Sequence, residues 1–461
     1  MMRNALDTLG CQCNRASGTK RLFEIIQSTG NYAMMKYLSA TLLIVVSAFY
    51  LLIWQAPTVH AKPIDQSAFS TAAVEKGRVL AGLGNCASCH TVDKAKPFAG
   101  GVSFSTPFGT LYSTNITPDP GVGIGQWSLP AFSRAMREGV SRDGSHLFPA
   151  FPYTHFKHLS DEDISSLYAY VMTRKPIAEQ PPKNQLQFPF NLRFLQAGWK
   201  LLFFDKDQCW QPDPKQSEVF NRGAYLAQGL GHCSSCHTPR NSFGAEISDQ
   251  KYDGALVNNW YAPALNSRQS VPIHWNEPLL YDYLRAGQSD IQGVAIGSMA
   301  EVVHQGLALA PNSDIRALSV YINSLSGNHG GEDSRSNTAA AKQLISAANQ
   351  YVAEEASPED KRGEQLYRGA CVACHYNSAD KPKAVRAELS LNSTVTADDP
   401  TNLLRIMLEG ITADNGTPGI VMPGFSSLND SDLIALAQFL RVRAKQPHWN
   451  NLQQRLDELR R

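Results

Sequence analysis

A pentapeptide of the pattern Cys-x-x-Cys-His occurs three times in this chain, at Cys86–His90, Cys233–His237 and Cys371–His375. C-x-x-C-H is the attachment signature of c-type haem, in which two thiols form thioether bonds and the histidine ligates the iron. A single copy would also fit a zinc site, a redox dithiol or chance. Three copies indicate a repeated module and predict three covalently bound haems c.

Each copy supplies two attachment thiols and one iron ligand. The predicted attachment residues are Cys86, Cys89, Cys233, Cys236, Cys371 and Cys374, and the predicted iron-ligating histidines are His90, His237 and His375. Six of the nine cysteines are used in this way. A chain with three such haems is most simply an electron carrier.

An electron-carrying haem usually has a second protein ligand on the opposite face of its iron, and methionine or histidine there sets the potential. Met299 follows the second motif and Met422 follows the third, each before the helical pattern that closes its repeat. Methionine is more often a flexible core residue. Because Met299 and Met422 each follow a C-x-x-C-H motif, a role as iron ligand is favoured over a role in the core. We therefore expect both to ligate iron.

The first copy departs from this pattern, because Phe151 stands where the other two copies have methionine. Phenylalanine cannot donate to iron. His155 is the best replacement, and His146 and His158 are its rivals. Imidazole is a common iron ligand. The alternative is that all three histidines are surface loop residues and that the first iron is five-coordinate.

The elements around the three motifs repeat as well. A short helical stretch with a glycine precedes each motif, at Gly77, Gly223 and Gly363. A helix with apolar residues at spacings of three and four follows it, which marks one buried face. The closing helices begin near Asp163, Asp314 and Asp432, with Ser160, Asn312 and either Asn429 or Ser431 as N-caps. The glycine lets the closing helix approach, and an aromatic residue on that helix fills the crossing.

This pairing resembles the cytochrome c fold, in which the N- and C-terminal helices cross beside the haem. We therefore expect an all-α chain of three tandem cytochrome c-like domains behind an N-terminal segment. The expected order is an upstream extension and signal peptide or anchor (1–61), domain one (70–176), an apolar connector (177–214), domain two (215–326), a flexible tether (327–357), domain three (358–445) and an amphipathic C-terminal helix (446–461).

The sequence also predicts how the connector, the tether and the C-terminal helix are arranged. The connector is too apolar for a free linker and should pack between the first two domains or against a partner. The tether is rich in Gly, Ser, Asn and Ala, so we expect it to be mobile or helical and to let domain three sit apart. The C-terminal helix would lie on a membrane surface or cap domain three.

The N-terminal part resembles an export signal. An almost unbroken apolar run covers residues 37–54, with Lys36 before it and Val59–Ala61 after it. Such a pattern favours a secretory signal cleaved after Ala61 over an uncleaved anchor. The formal net charge of +1 over 461 residues gives no support for nucleic-acid binding. We expect a periplasmic protein associated with the inner membrane.

Segments outside the motifs resemble one family. They are residues 106–119, Gly123–Trp127, Phe188–Phe204, His232–Asn241 and Asn259–Leu265. Through them the chain resembles the triheme cytochrome c subunits of bacterial periplasmic dehydrogenases that act on alcohols, gluconate, sorbitol, fructose or aldehydes. The resemblance implies a relay. A catalytic subunit with a quinone, flavin or molybdenum cofactor oxidises the substrate, and the haems pass electrons singly to membrane ubiquinone or to another cytochrome of a terminal oxidase chain.

Phe151 also indicates which type of catalytic subunit is the partner. Alcohol and gluconate subunits of this family usually have methionine there, whereas Phe148–His155 is more similar to cytochromes associated with molybdenum hydroxylases that act on aldehydes or N-heterocycles.

The chain has no dinucleotide-binding turn and no nucleophile elbow, so we expect substrate oxidation on another subunit. Two alternatives are a haem enzyme, such as a peroxidase or reductase with an open first iron, and a free periplasmic electron shuttle.

Overall fold

The computed structural model describes residues 36–43, 47, 57, 66–327, 334–352, 357–376, 388–413 and 415–461. It divides into two units, residues 1–56 and 57–461. In the first unit residues 36–43 are helical. The predicted cleavage site after Ala61 and most of the apolar run lie outside the described residues. Within the described part of the chain, none of the helices combines the length and the apolarity that a membrane span requires.

The second unit contains three successive repeats built mainly of helices. Repeat one comprises α1 (Thr71–Leu83), α2 (Cys86–His90), β1 (Ser103–Thr106), β2 (Gly109–Tyr112), α3 (Leu129–Glu138), α4 (Tyr153–Phe156) and α5 (Asp161–Met172). The connector adds β3 (Gln185–Leu186) and α6 (Leu195–Phe203). The strands form one antiparallel sheet in the order β1-β2-β3.

Repeats two and three follow the same plan with shorter sheets. Repeat two comprises α7 (Glu218–Gln228), α8 (Ser234–His237), β4 (Ala255–Val257), β5 (Trp260–Ala262), α9 (Glu277–Ala286), β6 (Gln288–Ser289), β7 (Gly293–Val294), α10 (Gly297–Glu301) and α11 (Asn312–Leu325). After α12 (Ser334–Gln350), repeat three comprises α13 (Pro358–Leu366), α14 (Val372–His375), α15 (Ser393–Thr396), α16 (Thr401–Glu409) and α17 (Asp430–Arg443), and α18 (Leu452–Leu459) ends the chain. The predominance of helix agrees with the predicted class. The small antiparallel sheets were not predicted.

The first and last helices of every repeat cross at the predicted glycine. A Cβ atom built on Gly77, Gly223 or Gly363 would lie 2.0, 1.9 or 2.2 Å from a backbone carbonyl oxygen of the closing helix. The same atoms would lie 2.7, 2.8 and 2.5 Å from the Cβ atoms of Tyr170, Tyr321 and Phe439. Only a residue without a side chain permits this approach. The prediction of a glycine crossing filled by an aromatic residue is confirmed in all three repeats.

An ion pair, which was not predicted, joins the same two helices in each repeat. The basic residue directly before the glycine contacts an aspartate in the first turn of the closing helix. The pairs are Lys76–Asp163, Arg222–Asp314 and Arg362–Asp432, at 2.7, 2.8 and 2.7 Å. A carboxylate in the first turn also interacts favourably with the helix dipole. The three repeats therefore share one construction beyond the C-x-x-C-H motif.

Two of the predicted N-caps are confirmed. The Ser160 hydroxyl accepts a hydrogen bond from the Asp163 amide at 3.1 Å, and the Asn429 side chain accepts one from the Asp432 amide at 2.8 Å. Asn312 was wrong as a cap, because α11 already includes it and Pro311 occupies the cap position. The fixed φ of proline starts the helix there without a side-chain cap.

Repeats one and two share one hydrophobic core, in which Leu80 and Leu83 pack together with Leu226 and Leu230. The connector bridges the same two repeats. The Lys200 ammonium donates to the Gly139 carbonyl of repeat one at 2.7 Å, and the Trp199 indole donates to the Phe243 carbonyl of repeat two at 3.0 Å. The connector thus packs across the first two repeats, which was one of the two arrangements expected from its apolar sequence. Its outer side leaves Phe188, Leu201 and Leu202 exposed.

The predicted tether contains α12, which is a packed helix. Ala341 and Ile345 of this helix are buried with Ile273 of repeat two and Leu391 of repeat three. Asn402 of repeat three also exchanges two hydrogen bonds with the Tyr261 backbone, at 2.8 and 2.7 Å. Residues Ser334–Gln350 of the tether are helical, which agrees with the helical alternative. The expectation that domain three sits apart is wrong, because α12 presents apolar side chains that both neighbours bury.

The C-terminal helix α18 belongs to the core of repeat three. Trp449, Leu452 and Leu456 are buried against the closing helix α17, and the Trp449 indole donates to the Ala397 carbonyl at 3.1 Å. The apolar stripe is therefore used inside the molecule. Of the two predicted roles, this packing corresponds to capping domain three.

Candidate haem sites

Each C-x-x-C-H motif forms one helical turn shortly after the first helix of its repeat. These turns are α2, α8 and α14. Residues three and four apart share a helix face, so the two cysteines and the histidine of one motif are presented to the same side. None of the six motif cysteines forms a disulfide. The arrangement fits a porphyrin that is attached through both thiols and ligated by the following histidine.

The first two histidines are held by backbone carbonyls. His90 Nδ1 lies 2.7 Å from the Thr114 oxygen, and His237 Nδ1 lies 2.6 Å from the Pro263 oxygen. A carbonyl only accepts, so Nδ1 carries the proton and the lone pair is on Nε2. Burial lowers the pKa of both histidines, which keeps them neutral. A ligating histidine needs this tautomer, fixed by a partner at its other nitrogen.

The surroundings of the cysteines are apolar. Burial raises the pKa of Cys86 and Cys233 to about 12 and that of Cys371 to about 11. A reactive dithiol or a thiolate metal site uses thiols whose pKa is lowered. An apolar wall instead suits thioether sulfurs next to a buried porphyrin. The raised thiol pKa values speak against a reactive dithiol.

A chain of contacts through the hairpin β4–β5 links the second motif to the turn that carries Met299. α8 contacts β4, and β4 pairs with β5. Trp260 of β5 then packs against Gly297, so closely that a Cβ atom on Gly297 would lie 2.4 Å from the Trp260 ring. Met299 follows in the first turn of α10 and is half-buried against the core of repeats one and two.

Met422 lies on the loop that leads from α16 to the closing helix of repeat three. Its backbone exchanges two hydrogen bonds of 2.9 Å with Ile411, so this point of the loop is held in a strand-like pair. The Met422 side chain is half-buried, whereas the neighbouring Val421 is exposed. The loop therefore turns the methionine toward the protein.

The hydrogen bonds of His155 speak against its predicted role as an iron ligand. His155 is buried, with Nδ1 3.1 Å from the Gln228 carbonyl oxygen and Nε2 2.7 Å from Glu246 Oε1. Both nitrogens are therefore engaged by repeat two. Phe151 packs against Phe156, with 5.5 Å between ring centroids, so an aromatic ring fills the place of the methionine.

One of the two rival histidines also faces another group. His146 Nδ1 lies 3.2 Å from the Lys200 ammonium, which directs this side chain toward the connector. Burial, together with the charges of Lys157 and Lys251, lowers the pKa of His158 to about 4. His158 Nδ1 is buried and has no hydrogen-bond partner among the described residues.

Family models match both ends of the repeat array. A model described as cytochrome c matches residues 74–175, and one described as cytochrome C oxidase, cbb3-type, subunit III matches residues 358–440. The chain is 33% identical to the fructose dehydrogenase cytochrome subunit of Gluconobacter japonicus, over 83% of this chain and 82% of that protein. It is also 33% identical to the cytochrome c subunit of the quinone alcohol dehydrogenase of Gluconacetobacter polyoxogenes, over 83% of this chain and 81% of that protein.

The chain belongs to the cytochrome c subunits of dehydrogenases. Subunits of this family carry electrons for a separate catalytic subunit, as the resemblance in the sequence implied. Another relative is a nicotinate dehydrogenase subunit of Pseudomonas putida, which is 44% identical over 88% of this chain. The match spans 33% of the length of that relative.

Sequence reasoning did not identify the groups that hold His90 and His237, the predicted iron ligands of the first two motifs. Thr114 and Pro263 act through backbone carbonyls, which residue type does not reveal. Their segments did give a signal, because residues 106–119 and Asn259–Leu265 were among those that carried the family resemblance. Glu246 lies outside those segments and had no such signal.

Proposed function

We propose that this chain is a triheme electron-transfer subunit with one haem c on each C-x-x-C-H motif. It accepts electrons from a dehydrogenase catalytic subunit and passes them to membrane ubiquinone or a terminal oxidase chain. The observation that carries the proposal is the threefold repetition of motif, glycine crossing and interhelical ion pair.

Bound haem c supplies a reversible one-electron couple, and the chain supplies its surroundings. The cysteine pairs would hold each porphyrin covalently. His90 and His237, whose tautomer is fixed by backbone carbonyls, would ligate the iron, and His375 would take the same role in repeat three. Met299 and Met422 would supply the second ligands, and a thioether there would raise the potential relative to a second histidine.

Contacts between the repeats support a linear route through the second haem. Burial and the nearby Cys236 thiol of the second motif raise the pKa of Cys89 to about 11. On the other side, the Gly297 amide donates to the Asn415 carbonyl at 2.7 Å, which brings the Met299 turn beside the loop that leads to Met422. Repeat two therefore contacts both neighbours at its own haem-binding elements.

The partner we propose is a periplasmic molybdenum hydroxylase that oxidises nicotinate or another N-heterocycle. Two observations support it. The chain is 44% identical to the nicotinate dehydrogenase relative, compared with 33% for the fructose and alcohol dehydrogenase subunits. It also has Phe151 in place of the methionine that is usual in the alcohol and gluconate subunits.

The test is haem counting followed by reduction. The chain is produced with a c-type haem maturation system, and mass spectrometry should show three haem additions. The Cys→Ser pairs at Cys86/Cys89, Cys233/Cys236 and Cys371/Cys374 should each remove one. Mixing with a nicotinate-oxidising catalytic subunit and nicotinate should reduce the haems, and ubiquinone should reoxidise them. Fewer than three haems, or no reduction by any dehydrogenase subunit, would overturn the proposal.

One observation favours a second activity at the first haem. Phe151 offers no donor, and both nitrogens of His155 are bonded elsewhere. A first iron open on one face could react with peroxide. Peroxide consumption by the purified chain without a partner subunit tests this alternative, and the Cys86→Ser/Cys89→Ser variant should abolish it.

A further inference from the structure

A buried polar cluster connects repeat one to the second C-x-x-C-H motif. Its centre is the Glu246 carboxylate, which lies 2.7 Å from His155 Nε2 and accepts a hydrogen bond from the Ser234 hydroxyl at 2.8 Å. His155 is 8% exposed and Ser234 is 1% exposed. Ser234 is the residue between Cys233 and Cys236 that begins α8. One carboxylate is thus held between repeat one and the haem-attachment turn of repeat two.

The carboxylate at this place is ionised. Burial alone would raise the pKa of Glu246, but the hydrogen bond and charge of His155, the bond from Ser234 and the charge of Arg240 together lower it to about 2. Glu246 is therefore negative at every physiological pH. The Glu246 side chain is 22% exposed, so less water screens its charge than on the open surface and it acts more strongly on its neighbours.

The other charged or titratable groups around this carboxylate come from the same two repeats. Arg240 donates to the Ser235 carbonyl within the motif at 2.9 Å. Desolvation lowers the pKa of Lys251, while the charge of Glu246 opposes this shift. His232 is buried and has its pKa lowered to about 4, so it is neutral. Glu246 is thus the negative member of a group of basic side chains.

We propose that Glu246 is a positioning residue that lowers the reduction potential of the second haem by its fixed negative charge. This inference rests on the proposed function, because it requires haem on Cys233 and Cys236. Reduction adds an electron to the iron, and a nearby negative charge opposes that addition. Net charge and hydrogen bonding near the site are known determinants of such potentials. His155 holds the carboxylate against the motif, so the potential of haem two depends on contact with repeat one.

The test is a charge series measured by spectroelectrochemistry. Glu246→Gln keeps the size and removes the charge, so the potential of haem two should rise while those of haems one and three stay unchanged. Glu246→Asp keeps the charge and should leave the potential near the native value. The component that belongs to haem two is the one that disappears in Cys233→Ser/Cys236→Ser. A purely structural role would not separate Gln from Asp in this way.

Two further variants keep the test decisive. Glu277→Gln removes a carboxylate from an exposed pair with Arg316 in the same repeat and should shift no potential. Arg240→Gln removes a positive charge beside Glu246 and should lower the potential of haem two, which tests the idea even where Glu246→Gln fails to fold. Absence of haem on Cys233 and Cys236 by mass spectrometry would refute the proposed function. Normal haem content with no opposite shifts in the Glu246 and Arg240 variants would refute this inference alone.

Discussion

At the scale of single residues, Phe151 distinguishes the first proposed haem site from the other two. It lies half-buried beside Phe156 in the place where the other repeats have a methionine. Phe151→Met brings a thioether donor into that place with an adaptable side chain. We expect native protein to bind carbon monoxide at the reduced first haem and the variant to lose that binding, with a higher potential. Carbon monoxide difference spectra and near-infrared magnetic circular dichroism measure both effects.

Phe156→Met is the matched control, because it places the same side chain in the same aromatic pair. It should keep carbon monoxide binding and show no methionine–iron charge-transfer signal. If the native first haem binds no carbon monoxide, another side chain already closes the iron and the assignment to an open face is wrong.

Residue types are the basis for predicting the haem motifs and the methionine ligands, and the methionine ligands stay a prediction. Covalent attachment and iron ligation require particular side chains at particular spacings. Residue types misled at His155. A histidine near a haem motif satisfies the chemistry of a ligand, but its actual partner, Glu246, lies 91 residues further along the chain. Pairing across repeats depends on tertiary packing, which spacing within one repeat does not contain.

At the scale of elements, the glycine crossing is the feature that all three repeats need. Gly223→Ala places a methyl group 1.9 Å from the Ala317 carbonyl oxygen, so α7 and α11 must separate. Overpacking of this kind costs about 1–3 kcal/mol, and a backbone contact leaves little room for relaxation. We expect a loss at the upper end of that range, measured by urea unfolding, together with reduced haem loading at the second motif.

Gly198→Ala is the matched control on helix α6, where a Cβ atom meets nothing within 4 Å. Alanine there should be neutral or stabilise the protein by up to about 1 kcal/mol, because it lowers the entropy of the unfolded chain. Equal destabilisation by both substitutions would mean that the crossing is not tight at Gly223.

The connector helix is anchored by Lys200, and its stability should depend on pH. Burial lowers the pKa of Lys200 to about 7, below the unfolded value of 10.5. Between these values the unfolded chain binds the extra proton, so the contribution of this group to stability rises with pH from about 7 to about 10. Lys200→Met removes the titrating group. Native protein should therefore gain stability relative to Lys200→Met between pH 7 and pH 9, as measured by urea unfolding.

Lys183→Met, at an exposed lysine of the same connector, is the control and should follow the native pH profile. A difference between native protein and Lys200→Met that stays constant across this range would contradict the buried-lysine explanation. The hydrogen bond from Lys200 to Gly139 would then be only a neutral packing contact.

At the scale of the whole molecule, composition was a poor guide to how the repeats are arranged. Small and polar residues in the tether predicted a spacer, yet Ala341 and Ile345 lie at helical spacing and are buried between repeats two and three. Composition averages over a segment, whereas burial depends on which few residues share a face. The described unit from residue 57 onward is therefore one assembly in which repeat two contacts both of its neighbours.

That assembly predicts how electrons would reach the proposed third haem. Arg405 stacks 4.2 Å from the centre of the Trp260 ring and donates to the Asn259 carbonyl at 3.1 Å, next to the Asn402–Tyr261 bonds. Each hydrogen bond contributes about 1 kcal/mol, and the stacked cation adds about as much. The double variant Asn402→Ala/Arg405→Ala should loosen this contact and lengthen the gap between haems two and three.

Stopped-flow reduction by a catalytic subunit separates this effect from a general loss of function. In the double variant haems one and two should still reduce at native rates, whereas haem three should lag. Arg316→Ala removes an exposed ion pair within repeat two and should leave all three phases unchanged. If haem three is reduced first, electrons enter at the C-terminal repeat. The same weakened contact would then slow haems one and two, so the identity of the lagging phase reports the direction of flow.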